Sequence, residues 1–156
     1  MADKFGGLKA LDDSNEITAW NNFVMNADPD LHGACGEKRN AAIACLYMGG
    51  ANNGGLNAFL TNYAELDADE VLQSLEAVGA SPAADQFQDV LQKLGEPLPA
   101  TTQDKRWDQL ERLWTDELDE IDVLNTEADE SLLAALKAHV SKHMEYYLTV
   151  SARNSG

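Results

Sequence analysis

The sequence predicts an all-α fold, arranged as a single compact multi-helix domain of about seven helices. Apolar residues recur at the three- and four-residue spacing of amphipathic helices through most of the chain. Candidate helix starts and glycine or proline stops separate these stretches. No stretch alternates apolar and polar residues between turn signals as a strand would. At 156 residues the chain is long enough for one domain with a core and too short for two.

The first helices are predicted around a glycine-rich stretch. The first helix begins near Ser14, and its apolar face contains Ile17, Trp20, Phe23 and Val24. The second is expected to end at Met48, where Gly49 and Gly50 reverse the chain, because glycine tolerates positive φ. Asn53-Gly54-Gly55 then starts a short third helix.

The same stretch, GGANNGGLNAFLTN, raises the alternative of a phosphate-binding loop, since free N–H groups at a helix start attract anions. Such loops follow a buried strand or end in Lys followed by Ser or Thr. Here the preceding segment is helical in pattern, and no Lys or Arg occurs from Asn40 to Gln92. The sequence therefore favours a structural corner between two helices.

Later helices are predicted from local boundary signals. Asp67 followed by Glu70 is an acidic version of the capping box, and Gly79 ends that helix. Ser81 is the expected N-cap of the next helix, with Pro82 at its first position.

Two longer helices are predicted after a proline-containing linker. The buried stripe of the first contains Trp107, Leu110, Trp114, Leu118 and Ile121. Thr126 is the expected cap of the second helix. Its inward residues are Leu132, Leu136, Val140, Met144 and Tyr147. The predicted organisation is an N-terminal tail over 1–13, the helical domain over 14–150 and a C-terminal tail over 151–156.

Charge is the outlying property of the composition. The chain has 27 Asp and Glu against 11 Lys and Arg, for a formal net charge of −16. This imbalance argues against direct binding to nucleic acid or anionic membranes, because association would add charge repulsion. It favours a basic partner or divalent cations, or serves solubility alone. Cys35 and Cys45 lack metal-site spacing, and no apolar segment resembles a signal peptide or membrane span, so a cytoplasmic protein with reduced thiols is expected.

No motif predicts an enzyme, a cofactor or a metal. Cys45 lies among apolar residues, where a thiol is usually inert, and no Gly-x-Ser-x-Gly nucleophile motif occurs. The run DELDEID lacks the glycine of a calcium-binding loop. His139 and His143 are spaced as in zinc-binding helices, but the associated glutamate is missing and no third ligand is evident. We expect surface or groove-lining histidines.

Two carboxylate-rich runs are the candidate partner-binding surface. The first run contains Glu65, Asp67, Asp69, Glu70 and Glu76, extended by Asp85 and Asp89. The second contains Asp108, Glu111, Asp116, Glu117, Asp119, Glu120, Asp122, Glu127, Asp129 and Glu130. The predicted partner-binding acids are Glu65, Asp67, Asp69 and Glu70 of the first run and Asp108, Glu111, Asp116, Glu117, Asp119, Glu120 and Asp122 of the second. They are either solvated helix faces with dipole-stabilised acids at helix starts, or a negative field that is itself selected. Like charges at i, i+4 destabilise a helix, and Arg112 is the only basic residue within the second run. A run that tolerates such repulsion favours the second interpretation.

The segment NNGGLNAFLTN, followed by VLQSLEAVGASPAADQFQDVL, resembles a widespread bacterial domain of unknown function. The resemblance covers roughly Ala41 to Tyr147. Its best-matching parts are Asn53-Gly54-Gly55, Phe59, Asn62 and Val78-Gly79-Ala80. The family is known chiefly from a small, acidic, dimeric, all-helical DNA mimic that binds a helix-turn-helix transcription factor and keeps it off its operator. The resemblance implies a homodimer that binds a basic DNA-binding protein.

Two function classes follow from the sequence. The first is an acidic DNA-mimic-like regulator, since carboxylates on a rigid helix can approach the charge density of B-DNA, about one charge per 1.7 Å. The second is an acidic non-mimic interaction module, of toxin-neutralising or adaptor type. It would recognise its partner through an apolar groove near Trp20 and the glycine-corner helix.

Overall fold

The computed structural model of the protein describes residues 14–32 and 36–150. Within these ranges it contains eight helices and no strand, which confirms the all-α prediction. The helices are α1 (Ser14–Met25), α2 (Glu37–Asn62), α3 (Ala68–Ala77), α4 (Ser81–Leu94), α5 (Gln103–Leu113), α6 (Asp116–Glu120), α7 (Thr126–Lys142) and α8 (Met144–Thr149). The predicted tails and Cys35 lie outside the described residues.

Helix α2 forms the centre of the domain, packing against α3, α5 and α7, while α4 packs against α3 and α7. Its run from Ala41 to Cys45 is buried, and the small alanines let neighbouring helices approach closely. The ring of Tyr47 meets the rings of Phe59 and Phe87 edge-on, with centroids 5.0 and 5.2 Å apart. Such edge-to-face pairs stabilise the core beyond the burial of their area.

The predicted chain reversal at Gly49 and Gly50 is wrong, because α2 continues through both residues as helix. The break falls at Gly55, whose φ of 95° and ψ of 174° are non-helical. Glycine inside a helix costs only about 1 kcal/mol relative to alanine, so packing can override it. At Gly50 that packing is visible, since an added Cβ would lie 3.0 Å from the ring of Phe59.

The corner at Gly55 is closed by an acid from the second carboxylate run. The backbone N–H of Leu56 donates to the carbonyl oxygen of Asp122, and that of Asn57 donates to Asp122 Oδ1, both at 2.7 Å. A Cβ on Gly55 would lie 2.7 Å from Asp122 Oδ2, so only glycine leaves room for the carboxylate. The helix start does attract an anion, as expected of exposed N–H groups, but the anion belongs to the protein. The corner is structural.

Three predicted helix starts are correct to within one residue but differ in their caps. Asp67 is the N-cap of α3 without a side-chain hydrogen bond, so the expected capping box does not form. The N-cap of α4 is Ala80, with proline in its first turn, and α4 still begins at Ser81. Asn125 rather than Thr126 caps α7, accepting from the backbone N–H of Ala128 at 2.7 Å. Asn and Thr are both favourable N-cap residues, so residue type alone does not show which of the two neighbours caps the helix.

The predicted stripe from Trp107 to Ile121 is divided between two helices. Helix α5 ends at Leu113, and the side chain of Thr115 caps the separate helix α6. Leu110 and Leu118 are buried as predicted, whereas Trp107 is 51% exposed. The residue buried one turn before Leu110 is Arg106.

Arg106 is buried because its guanidinium finds four backbone acceptors. It donates to the carbonyl oxygens of Leu60 and Ala64 at 2.9 and 3.2 Å. It also donates to those of Leu98 and Ala100 at 3.3 and 2.9 Å. These bonds offset the desolvation of a charged group, and they fasten the proline linker and α5 to the end of α2.

The last predicted helix keeps most of its inward residues, whereas the first keeps only Phe23 fully buried. In α7, Leu132, Leu136 and Val140 are buried, and the pattern continues at Tyr147 in α8 after a break at His143. In α1, Phe23 is buried, whereas Ile17 and Val24 remain largely exposed. Across the described part of the chain, no helix combines the length and hydrophobicity needed to cross a membrane.

Candidate protein-interaction surface

All but two of the predicted partner-binding acids are exposed. The exposed members are Glu65, Asp67, Asp69, Asp108, Glu111, Asp116, Glu117, Asp119 and Glu120. The exceptions are Glu70 and Asp122, which are partly buried. Exposure leaves the nine able to act on a partner, and their role in binding stays a prediction.

Glu70 and Asp122 make contacts within the domain that stabilise the fold, and their role in binding a partner stays a prediction. Glu70 accepts two hydrogen bonds from the Arg39 guanidinium, at 2.7 and 3.0 Å, which is the bidentate geometry of a strong ion pair. Asp122 closes the corner at Gly55. Both contacts join residues at least 31 positions apart, and neither could be read from local spacing.

Some exposed acids also have partners. Asp119 Oδ1 accepts a hydrogen bond from the Trp114 indole N–H at 2.7 Å. Lys93 Nζ lies 2.9 Å from Asp89 Oδ1 and 3.6 Å from Glu117 Oε2. The hydrogen bond to Asp89 is the main cause of the raised pKa of Lys93. These faces therefore have more positive charge nearby than the acidic runs in the sequence indicate.

The negative charge of the first carboxylate run is partly offset by a buried cation, Arg106. Burial lowers the pKa of the Arg106 guanidinium, and the charges of Asp67 and Glu65 act in the opposite direction. A buried cation therefore lies close enough to these two surface acids to interact with them.

Four acids that are distant in sequence converge on one concave surface, which we call the acidic cleft. It comprises Asp85 and Asp89 of α4, Glu120 of α6 and Glu127 of α7, around a volume of about 550 Å³. No Lys or Arg lines it. A concave arrangement of carboxylates favours Lys or Arg side chains of a partner, and guanidinium groups most, because they bind carboxylates bidentately.

Gln86 fixes the geometry of the acidic cleft. Its side-chain amide donates to the carbonyl oxygens of Ile121 and Val123 at 3.2 and 2.8 Å. Its Oε1 accepts from the backbone N–H of Asn125 at 3.1 Å. These bonds join α4 to the segment between α6 and α7. Sequence reasoning placed Asp85 and Asp89 on one helix, but no local signal indicates which helices pack beside it.

A second concavity, the apolar groove, lies between the end of α1 and the glycine face of α2. It has a volume of about 450 Å³. It is lined by Val24, Ala27, Cys45, Leu46, Met48, Gly49, Gly50, Asn53, Gly54, Ala58, Asn62 and Tyr63. No carboxylate is among these residues, so the groove and the acidic cleft are separate surfaces. Burial raises the pKa of the Cys45 thiol to about 11, consistent with the inert thiol expected from the sequence.

The two histidines differ from the sequence prediction. His139 is buried, and its Nε2 lies 2.9 Å from the hydroxyl of Tyr147. Burial, together with the charge of His143, lowers the pKa of His139 to about 4. His143 Nε2 lies 3.3 Å from Glu37 Oε1 at the start of α2. Glu37 thus supplies the third metal-binding side chain that the sequence did not reveal, since it lies about a hundred residues away from the histidines.

A comparison with protein families finds a match that covers most of the helical domain. The model of a family described as DMP19-like protein matches residues 36–145, which is more than half of the chain. Neither a curated protein nor a solved structure matched the chain. The matched range includes all of α2 to α7 and the first two residues of α8. The chain therefore belongs to the DMP19-like protein family.

Proposed function

We propose that this protein is an acidic DNA-mimic-like regulator, which sequesters a basic DNA-binding protein such as a transcription factor. The observation that carries the proposal is the acidic cleft, where Asp85, Asp89, Glu120 and Glu127 face one concavity and, of the four, Asp89 alone pairs with a lysine, Lys93. Family membership and the net charge of −16 support it. In this proposal the protein acts in the cytoplasm, as a homodimer, by binding rather than by catalysis.

The physical basis is competition for the same cationic surface. A DNA-binding protein meets the phosphates with Lys and Arg, and a rigid array of carboxylates can occupy those side chains instead. Charge attraction would speed association and would weaken with added salt, since the Debye length falls from about 10 Å at 0.1 M to about 3 Å at 1 M.

The test begins with capture of partners from the native host's lysate at low salt, followed by elution with a salt step. Each captured protein is then bound to labelled DNA and titrated with the purified protein in an electrophoretic assay. We expect the DNA to be released, and the affinity for the partner to fall steeply with salt. Affinity that is unchanged between low and high salt would contradict the proposal.

A cleft variant separates specific charge placement from general acidity. Asp85→Asn, Glu120→Gln and Glu127→Gln together remove three charges from exposed positions in the acidic cleft. Partner binding should weaken at least tenfold, mainly through a slower on-rate, and its salt dependence should become shallower. Helix content by circular dichroism should stay unchanged, because no described hydrogen bond of these side chains is lost.

The matched control removes the same number of charges elsewhere. Glu76→Gln, Asp104→Asn and Glu145→Gln lie at exposed positions on α3, α5 and α8, outside the acidic cleft. Binding that falls equally in both triple variants would show that net charge, not the cleft, attracts the partner.

A second candidate function is the acidic interaction module of toxin-neutralising or adaptor type, and the apolar groove favours it. Val24 in the groove and the neighbouring Met25 are 43% and 63% exposed, so two adjacent apolar side chains are available to a partner at the groove. A Val24→Asp variant should abolish partner binding if the groove is the contact, while the cleft variant should then bind nearly as well as the wild type. The reverse outcome favours DNA mimicry.

A further inference from the structure

Three metal-binding side chains meet at the joint between the start of α2 and the end of α7. Glu37 is the first residue of α2, His139 lies in the last turn of α7, and His143 separates α7 from α8. One ligand atom from each lies within 4.8 Å of the others. The rings of the two histidines are 4.6 Å apart, centroid to centroid.

We infer that Glu37, His139 and His143 form a binding site for a divalent transition metal of the Zn²⁺ class. Two imidazoles and one carboxylate are a ligand set that zinc uses with a fourth position open to water or another ligand. Tetrahedral bonds of about 2.0–2.1 Å place ligand atoms about 3.3 Å apart. The three ligand atoms lie within 4.8 Å of one another, so binding requires them to come closer by up to about 1.5 Å.

The polar atoms around the site support a ligand role. His143 Nε2 is buried and lies 3.3 Å from Glu37 Oε1, without a well-aligned hydrogen bond between them. This separation is close to the ligand–ligand distance of a tetrahedral site, so a metal ion would replace this contact. The hydroxyl of Tyr147, 2.9 Å from His139 Nε2, provides the second contact that commonly orients a metal-binding histidine.

The surrounding charges act in both directions. The carbonyl end of α7 favours a cation, as does the Glu37 carboxylate. Lys142 Nζ lies 3.0 Å from Glu37 Oε2, which leaves Oε1 facing His143. Lys38 is also close enough to His139 to influence it. Lys142 therefore competes for the carboxylate, and Lys142→Ala should tighten metal binding severalfold.

Metal binding can be measured directly on the full chain without a histidine tag. Co²⁺ is titrated into the protein, and visible absorption bands of low-coordinate Co²⁺ are followed, with Zn²⁺ then added as competitor. Calorimetry with Zn²⁺ supplies the stoichiometry. We expect one ion per chain, absorption bands that Zn²⁺ abolishes, and a melting temperature that rises with Zn²⁺ concentration because the ion binds the folded state.

Variants of the exposed ligands test the assignment. Glu37→Gln and His143→Ala should each weaken binding at least about tenfold, with unchanged circular dichroism. Glu145→Gln, which removes a neighbouring charge outside the cluster, should bind as the wild type does. Because Glu37 is half-exposed, its variant keeps the test informative even if His143→Ala fails to fold.

Several results would overturn the inference. Absence of the Co²⁺ bands in the wild-type protein would do so. So would multiple weak sites that Glu37→Gln and His143→Ala leave unchanged, because these would reflect adventitious binding to the acidic surface. The readouts do not involve a protein partner, so this inference stands or fails independently of the proposed function.

Discussion

Two alanine substitutions in α2 test where the helix is interrupted. Gly49 lies in a helical stretch where an added Cβ would meet nothing within 4 Å. Gly55 has φ of 95°, and its added Cβ would lie 2.7 Å from a carboxylate oxygen of Asp122. Gly49→Ala and Gly55→Ala should therefore change stability in opposite directions.

The magnitudes follow from the two environments. Gly49→Ala should stabilise the protein by about 0.5–1 kcal/mol, the helix-interior preference for alanine. Gly55→Ala forces alanine into a conformation nearly reserved for glycine, at about 1–3 kcal/mol. It also displaces the Asp122 carboxylate from the Asn57 N–H, at about 1–2 kcal/mol. The two variants should therefore differ by about 3–6 kcal/mol.

Urea unfolding followed by circular dichroism measures both values, provided the transition is two-state. The Asp122→Ala background isolates the contribution of the carboxylate in a double-mutant cycle. The cost that remains is that of the backbone conformation and of the Asp122 carbonyl oxygen, which would lie 3.1 Å from the added Cβ. A destabilised Gly49→Ala together with a neutral Gly55→Ala would refute the corner at Gly55. It would restore the reversal at Gly49 and Gly50 that the sequence predicts.

Three further predictions concern buried or paired side chains. Arg106→Leu should lower the free energy of unfolding by at least about 3 kcal/mol, because several carbonyl groups lose their donor; an unchanged urea midpoint would contradict this. Glu70→Gln should cost about 1 kcal/mol by breaking the bidentate ion pair with Arg39. The loss should shrink in 1 M salt, and an equal loss at both salt concentrations would exclude an ionic origin. The pKa of His139 is about 4 when folded and about 6.5 when unfolded, so the unfolded chain binds more protons between these values. His139 therefore contributes stability that is fully present above pH 6.5, and about 3 kcal/mol of it should be lost by pH 4. Urea unfolding at both pH values in EDTA measures this, and an NMR pKa near 6.5 would refute it.

The helical class could be predicted because its signals are local. The glycines at the ends of α3 and α4 have positive φ, as their positions after periodic apolar runs predict. The starts of α3, α4 and α7 are correct to within one residue for the same reason. Each signal lies within a few residues of the boundary that it determines.

The misplaced predictions involve contacts between distant residues. Periodicity assigns Trp107 to the core, whereas the structure buries Arg106, and the carbonyl groups that bond Arg106 come from other segments. The acidic cleft and the cluster at Glu37 depend on which helices pack together. Hydrophobic spacing indicates which face of a helix is buried, but not which other helix packs against that face.

The carboxylates form two groups, those that make contacts within the domain and those that do not, and a test of binding has to treat the two groups separately. Asp122 and Glu70 stabilise the domain through a helix start and an ion pair, and replacing them would change folding together with binding. Asp85, Glu120 and Glu127 make no described hydrogen bond or ion pair, so the repulsion among them in one cleft is uncompensated. Repulsion of this kind lowers the stability of the fold and strengthens no contact within it. A partner that supplies cations would relieve it, which is why the acidic cleft, rather than the longest acidic run in the sequence, is where charge should be removed first.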